Sequence, residues 1–319
     1  MSKKIKKIVC LGGGNAMPRA VLQGLKKYPI KLTAICAMLD SGGSAGRLRK
    51  DYKIISPGDI RRAFITLANT SPLIEDLFNY RFEAGQLKGH NFANLLIAAL
   101  ELTTNNYEKT LATLRDLLKV EHEVLPVTLD RAQLCAILEN RKIIYGENNI
   151  DRPKHNGNLK IKKVFLQPKA KAYPKTIVAL RKADLIVIGP GDLYSTLAQI
   201  LLTEGIAKTI RESKGRTVYI CNLMTKYGET NNFKILDFTN QIENWIGKAL
   251  NFVIYNSQKP SKKLLLKWKK LHPELLEMVK INENLDKNNK DKFLGFPLLA
   301  KNAINHDPTK LAKILIKLL

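Results

Sequence analysis

Two short apolar runs dictate most of what this chain can fold into. Ile5 to Leu11 is rich in β-branched residues and stops at Gly12-Gly13-Gly14, after which Pro18 to Lys27 reads as a helix with proline in its first turn. Asp184 to Ile188 repeats the arrangement: an apolar run, Gly189-Pro190-Gly191, then a helical pattern over Leu193 to Leu202. Leu32 to Leu39 and Thr217 to Asn222 are further apolar runs that end in polar loops. A run without polar alternation suits a strand covered on both faces. Parallel neighbours need a crossover, usually a helix, and these helices supply it. The expected fold is α/β: a three-layer, doubly wound Rossmann-like sheet, mostly parallel.

At 319 residues the chain has room for two domains, or for one large domain with an insertion. Val124 to Thr128, Ala132 to Glu139, Lys142 to Tyr145 and Leu159 to Leu166 are short and β-rich, with Asn140-Arg141 placed like a hairpin turn. This predicts an antiparallel β-rich insertion over residues 121–170 that divides the core into 1–120 and 171–256. Phe252 to Tyr255 reads as the last strand. Residues 257–319 read as a Lys- and Asn-rich helical segment, with helices near Lys262 to Leu271 and Pro308 to Leu318.

The 53 basic residues against 28 acidic ones give a net charge of +25. Forty of the 53 are lysines spread along the chain, with no arginine-rich stripe and no interleaved aromatics. No specific nucleic-acid surface is therefore expected, only a surface that favours anionic ligands. No apolar run approaches the roughly 18–20 residues that span a bilayer. No apolar signal core follows the basic N-terminus, so neither a membrane span nor a secretory signal is expected. Cys10, Cys36, Cys135 and Cys221 form no C-x-x-C pair, and three of them sit in or end apolar runs. Reduced, buried thiols of a cytoplasmic protein are the expectation. No His or Cys pair has zinc spacing, and no G-x-S-x-G elbow occurs.

Ligands of such sheets bind beyond the carboxyl ends of the strands, and four loops place special residues there. The first is Gly12-Gly13-Gly14-Asn15, whose glycines let backbone amides approach an anion, with a helix start behind them; a tight turn without a ligand is the alternative. The second is Asp40 to Arg49, where a strand-end carboxylate, Gly42, Gly43 and Ser44 lead to Arg47 and Arg49; Asp40 suits Mg²⁺, ribose hydroxyls or a base donor, and a solvated surface loop is the alternative. The third is Pro57-Gly58-Asp59-Ile60-Arg61-Arg62. Asp59 either caps a helix or shares a metal with Asp40, and Arg61 and Arg62 either clamp phosphate or pair with surface carboxylates. The fourth combines Gly189, Gly191, Asp192, Ser195 and Thr196 with Asn222, Met224 and Thr225. It is a second strand–glycine–helix anion site, able with the first to grip both ends of a diphosphate. His90, before Asn91 and Asn94, is either a general base or phosphate contact or a structural helix-start histidine. The basic helix near Lys262 to Lys270, with Leu264, Leu265, Leu266 and Trp268, reads as a packed helix with solvated lysines ahead of the alternative, a membrane-surface helix.

Taken in order, the motifs resemble one family. They are the glycine triplet, Asp40-Ser41-Gly42-Gly43-Ser44-x-Gly46-Arg47-Leu48-Arg49, Pro57-Gly58-Asp59-Ile60-Arg61, Tyr80-Arg81-Phe82, Gly89-His90-Asn91-x-x-Asn94-Leu95-Leu96, Leu125-Pro126-x-Thr128, Gly146-Glu147, Ala183-Asp184-x-Ile186-x-x-Gly189-Pro190-Gly191 and Asn222-Leu223-Met224-Thr225-x-x-Gly228-Glu229-Thr230. Over about residues 5–256 the chain resembles the YvcK-type gluconeogenesis factors. That family shares a superfamily with the CofD-type 2-phospho-L-lactate transferases of coenzyme F420 synthesis.

The resemblance implies a cytoplasmic, usually dimeric protein that binds a nucleotide diphosphate ligand. In this branch the ligand is a UDP-sugar such as UDP-N-acetylglucosamine, with a role in cell shape and wall precursor supply. GDP or NAD are the alternative occupants. The transferase branch implies Mg²⁺ and transfer of a phospholactyl group, with Asp40 and Asp59 as metal ligands; no reaction is assigned to the gluconeogenesis branch. Three departures stand out. Asn15-Ala16 replaces the usual Thr-Gly, Ser41 replaces a second Asp, and Asn305-His306-Asp307 stands where Arg-His-Asp is usual. Trp268 falls near a position where the family often carries a Tyr, placed to stack on a uracil ring.

Overall fold

A computed structural model describes residues 5–283, 285 and 291–319. The basic residues 1–4 lie outside that set, as does most of the Lys- and Asn-rich stretch 284–290. The central sheet has seven strands: β1 (Lys7–Gly12), β2 (Lys31–Cys36), β3 (Glu123–Pro126), β4 (Leu185–Ile188), β5 (Arg216–Ile220), β6 (Phe252–Asn256) and β7 (Phe293–Phe296). Their spatial order is β7-β6-β5-β4-β1-β2-β3, and all six pairings are parallel. Successive strand residues point to opposite faces, and all four residues of β4 are buried, so helices cover the sheet on both sides. This is the doubly wound α/β architecture expected. Strand order reverses between β1 and β4, which register Ile8 against Leu185 through Leu11 against Ile188. That pair is the topological switch point, where a crevice opens.

Three features depart from expectation. Glu123–Pro126 pairs parallel with β2 and forms the sheet edge, so the antiparallel layer begins only with Gln133–Leu138. That layer has Gln133–Leu138 at its centre, between Ile143–Tyr145 and Ile161–Gln167, with the Asn140-Arg141 turn in place. Phe252–Asn256 is not the last strand, because Phe293–Phe296 adds beyond it. The C-terminal segment is also not purely helical. Besides the helices Lys262–Leu271 and Pro308–Lys317 it carries Leu275–Met278, paired with Met224–Lys226, and a small Leu299–Ala300/Ala303–His306 ladder. Leu264, Leu265 and Trp268 pack on Leu223, Met224, Leu299 and Ile304, a satellite core that fixes the basic helix to the sheet rim. Among the described residues, no helix is long and apolar enough to cross a membrane. All four cysteines are free and buried.

Candidate functional site

Because β1 and β4 are neighbours, the two glycine turns lie side by side at the carboxyl rim. Each turn feeds a helix that opens with a wide π-type turn, Pro18–Leu22 in one case and Leu193–Leu197 in the other. Two cavities share the ground between them. The larger is about 870 Å³ and the smaller about 260 Å³, and Gly14, Asn15, Asp192, Thr196 and His272 line both. Of the residues expected at the site, Asp40, Gly42, Gly43, Ser44, Asp59, Arg61 and Asn94 also line the larger. Gly13, Gly191, Asn222 and Met224 line the smaller.

Six expected residues line neither. Gly12 is packed so closely that a Cβ would sit 2.6 Å from that of Met17, and Gly189 turns the chain at φ +73°. Arg47 donates to the Lys88 carbonyl at 3.0 Å. His90 Nδ1 lies 3.2 Å from Ser44 Oγ, which in turn accepts from the Asn91 amide. Thr225 bonds the Glu277 backbone at 3.3 Å. Ser195 is fully buried and donates to Glu229 at 2.8 Å.

That last contact changes the picture of the second turn. Glu229 also accepts from the amides of Tyr194 (2.9 Å) and Ser195 (3.0 Å). The first-turn hydroxyl and N–H groups that make a helix start an anion site are thus filled by a buried internal carboxylate. Lys226, itself buried, contacts Asp151, Asp192 at 2.8 Å and Glu229 at 3.2 Å. Burial by itself depresses the Lys226 ammonium, but Asp192, Glu229 and Asp151 together outweigh it and hold the group charged well above its usual range. Asp151, Asp192 and Glu229 have the spacing of a metal-binding triad, and Lys226 supplies the cation there.

The first turn is more open. The Gly14 amide donates to Asp59 at 2.9 Å, and Arg62 binds the same carboxylate oxygen at 2.5 Å. Burial raises the Asp59 carboxyl, against the pull of Arg62 and with a further push from Asp40. Arg61 and Arg81 add positive charge to the larger cavity. Burial, with Arg62 and Arg81 nearby, lowers Arg61 to about 10, still charged at neutral pH. Glu147 closes the opposite wall and accepts from the Ser41 amide at 3.2 Å. Burial, then Asp40 and Asp151, lift its carboxyl to about 9. Gln199 ties the rim together, accepting from the Leu39 amide and donating to the Ser195 carbonyl.

The smaller cavity has a different chemistry, with Trp268, His306, Leu223, Met224 and Ile304 in its wall. Among the described residues, Trp268 Nε1 and His306 Nε2 are buried without a hydrogen-bond partner. Burial pushes His306 down to about 4, so its ring is neutral at pH 7. An indole and an uncharged imidazole beside apolar side chains suit a planar heterocycle. Sequence reasoning singled out Asp40, Asp59 and the glycines. It missed Arg81, Glu147, Asp151, Lys226, Glu229 and His306 as parts of this rim. Arg81, Glu147, Glu229 and His306 stood inside motifs of the family resemblance and Lys226 within the last of its blocks, so the signal was present for all of them but Asp151.

The family described as 2-phospho-L-lactate transferase CofD matches residues 8–295 of this chain. A gluconeogenesis factor of Listeria innocua is 37% identical over 326 residues, covering 100% of this chain and 98% of its own. A putative gluconeogenesis factor of Thermotoga maritima is 34% identical over 318 residues, covering 97% and 98%. The crystal structure of a UPF0052 family protein from Bacillus halodurans superposes with a TM-score of 0.91 at 33% identity, covering 99% of this chain and 100% of that one. The chain belongs to this CofD-related family of gluconeogenesis factors.

Proposed function

We propose, from that membership, that the chain is a regulatory protein that binds a nucleotide diphosphate sugar, of which UDP-N-acetylglucosamine is the first candidate. The single observation that carries the reading is the pair of joined cavities at the switch point. One is aromatic and neutral around Trp268 and His306; the other carries Arg61, Arg62 and Arg81. The base would occupy the smaller, with the diphosphate over Gly14 and Asn15 and the sugar toward Asp40 and Asn94. Regulation of cell shape and wall precursor supply, as a cytoplasmic homodimer, completes the proposal.

A second reading is Mg²⁺-dependent transfer from a nucleotide-diphosphate-linked substrate. It draws on Asp40 and Asp59, which line the same cavity and offer the oxygen donors that Mg²⁺ prefers. Arg62 is the resident cation such an ion must displace from Asp59. A bound ion would neutralise phosphate charge, while Arg61 and Arg81 would hold the phosphates in place.

Calorimetry with UDP-N-acetylglucosamine, GDP and NAD, with and without Mg²⁺, tests both. A Cβ at Gly191 meets Leu197 and Thr196 only at ordinary distances of 3.4 and 3.5 Å. Gly191 lines the smaller cavity, so the bulk of Gly191→Trp competes with an occupant there, read in a variant whose melting temperature matches that of the native chain. UDP-N-acetylglucosamine should bind the native chain and lose about two orders of magnitude in affinity in this variant. Absence of heat at millimolar ligand overturns the first reading. Consumption of a nucleotide-linked substrate would favour the second.

A further inference from the structure

A third cavity, of about 560 Å³, lies between the helix Gly43–Tyr52 and the antiparallel layer. Its volume falls within the roughly 300–1,000 Å³ of small-molecule sites. Its ionisable lining is nearly all of one sign: Arg49, Lys50, Lys53 and Arg131 against Glu147 alone. The larger switch-point cavity, by contrast, sets six carboxylates against five cations. Concentrated positive charge in a concave wall focuses its field on anions.

Arg49 is a built cation here. Its guanidinium donates to the Leu39 carbonyl at 3.2 Å and to the Ala132 carbonyl, one from the sheet rim and one from the insertion. These bonds use two of its five donors and fix the fork in place. Lys53 lines the same wall one turn beyond Arg49 and Lys50. It ends its helix in the left-handed region, at φ +53°, a conformation usually left to glycine.

We propose that this cavity is a second binding site, for a small di- or trianion carrying phosphate or carboxylate groups. Its occupant borders the helix Glu147–Asp151, because Glu147 and Asn148 line both this cavity and the larger switch-point cavity. The proposal does not rest on the nucleotide reading.

The test is calorimetry of the full chain with inorganic pyrophosphate and, separately, citrate. Native protein should bind at least one of them, and Lys53→Gly/Arg131→Glu should weaken that binding about tenfold or more. Binding of only one probe identifies phosphate or carboxylate as the preferred group. Lys53→Gly alone should lower affinity while leaving the melting temperature unchanged or higher, since glycine relaxes the φ +53° position. No heat with either probe at millimolar concentration overturns the proposal. So does an isotherm that Lys53→Gly/Arg131→Glu leaves unaltered, which would place the anion at the switch point.

Discussion

The turn after β1 and the turn after β4 are built from the same parts, yet they differ in what occupies them. Each follows a buried strand, bends on glycine, and opens a helix through a π-type turn. At the second, Glu229 is sealed, with no side-chain exposure, and holds two amides and the Ser195 hydroxyl. At the first, Asp59 holds a single amide and shares its charge with Arg62, whose side chain keeps 26% of its surface. A strand–glycine–helix motif therefore offers a ligand only those amides that no carboxylate of the same chain already holds. Here both turns hold a carboxylate of the chain: at the second it is sealed by two amides and a hydroxyl, and at the first it is held by one amide beside an arginine that reaches the larger cavity.

The largest effect that tests this contrast is Glu229→Ala. It strands two buried N–H groups and leaves Lys226 short of one carboxylate, so a loss of about 3–5 kcal/mol is expected in denaturant unfolding. A loss below about 1 kcal/mol would break the idea that the second turn is scaffold. Asp59→Asn comes next. It weakens one amide bond and the Arg62 pair, costing about 2 kcal/mol, and calorimetry should show any Mg²⁺ enhancement of nucleotide binding disappear. An undiminished Mg²⁺ effect would remove Asp59 from the metal reading.

The smallest effect is a pH drift from Glu147, which faces the first turn across the larger cavity. Its carboxyl is raised in the fold from 4.5 to about 9, so the native state favours the protonated form. The associated stability is complete below the unfolded value and is lost as pH climbs toward 9. Solvent in the two open cavities screens most of this shift, and the part that acts on stability is expected to be about one pH unit, or roughly 1 kcal/mol. Thermal melts between these limits should show it in the native chain and not in Glu147→Gln. Equal slopes would place the Glu147 carboxylate in a more solvated setting.

What was legible in the sequence follows from locality. β1, β4, their glycines and the helices behind them are contiguous patterns, and the switch-point rule then places the two turns together. Pairings across distance were not legible. Gly14 meets Asp59 across 45 positions, and Tyr194 meets Glu229 across 35. Residue type alone marks Asp59 equally well as a cap, a metal ligand or a filler. Phe293–Phe296 went unread because it is four residues long, contains Gly295, and follows a Lys- and Asn-rich stretch. Glu123–Pro126 looked antiparallel because the strands after it are. Its partner β2 lies some ninety residues earlier, beyond any local pattern.

The order of strands also sets a timetable. β1 is made first, but one of its two flanks waits for β4, and the Lys7 amide meets the Asp184 carboxylate across 177 positions. During synthesis the nascent chain must hold a half-covered hydrophobic ribbon until β4, 177 positions later, has left the ribosome. Premature termination before residue 188 would yield a product with neither a finished floor nor a place for a ligand to help it fold. Rescue by added ligand should therefore be confined to chains long enough to contain β4.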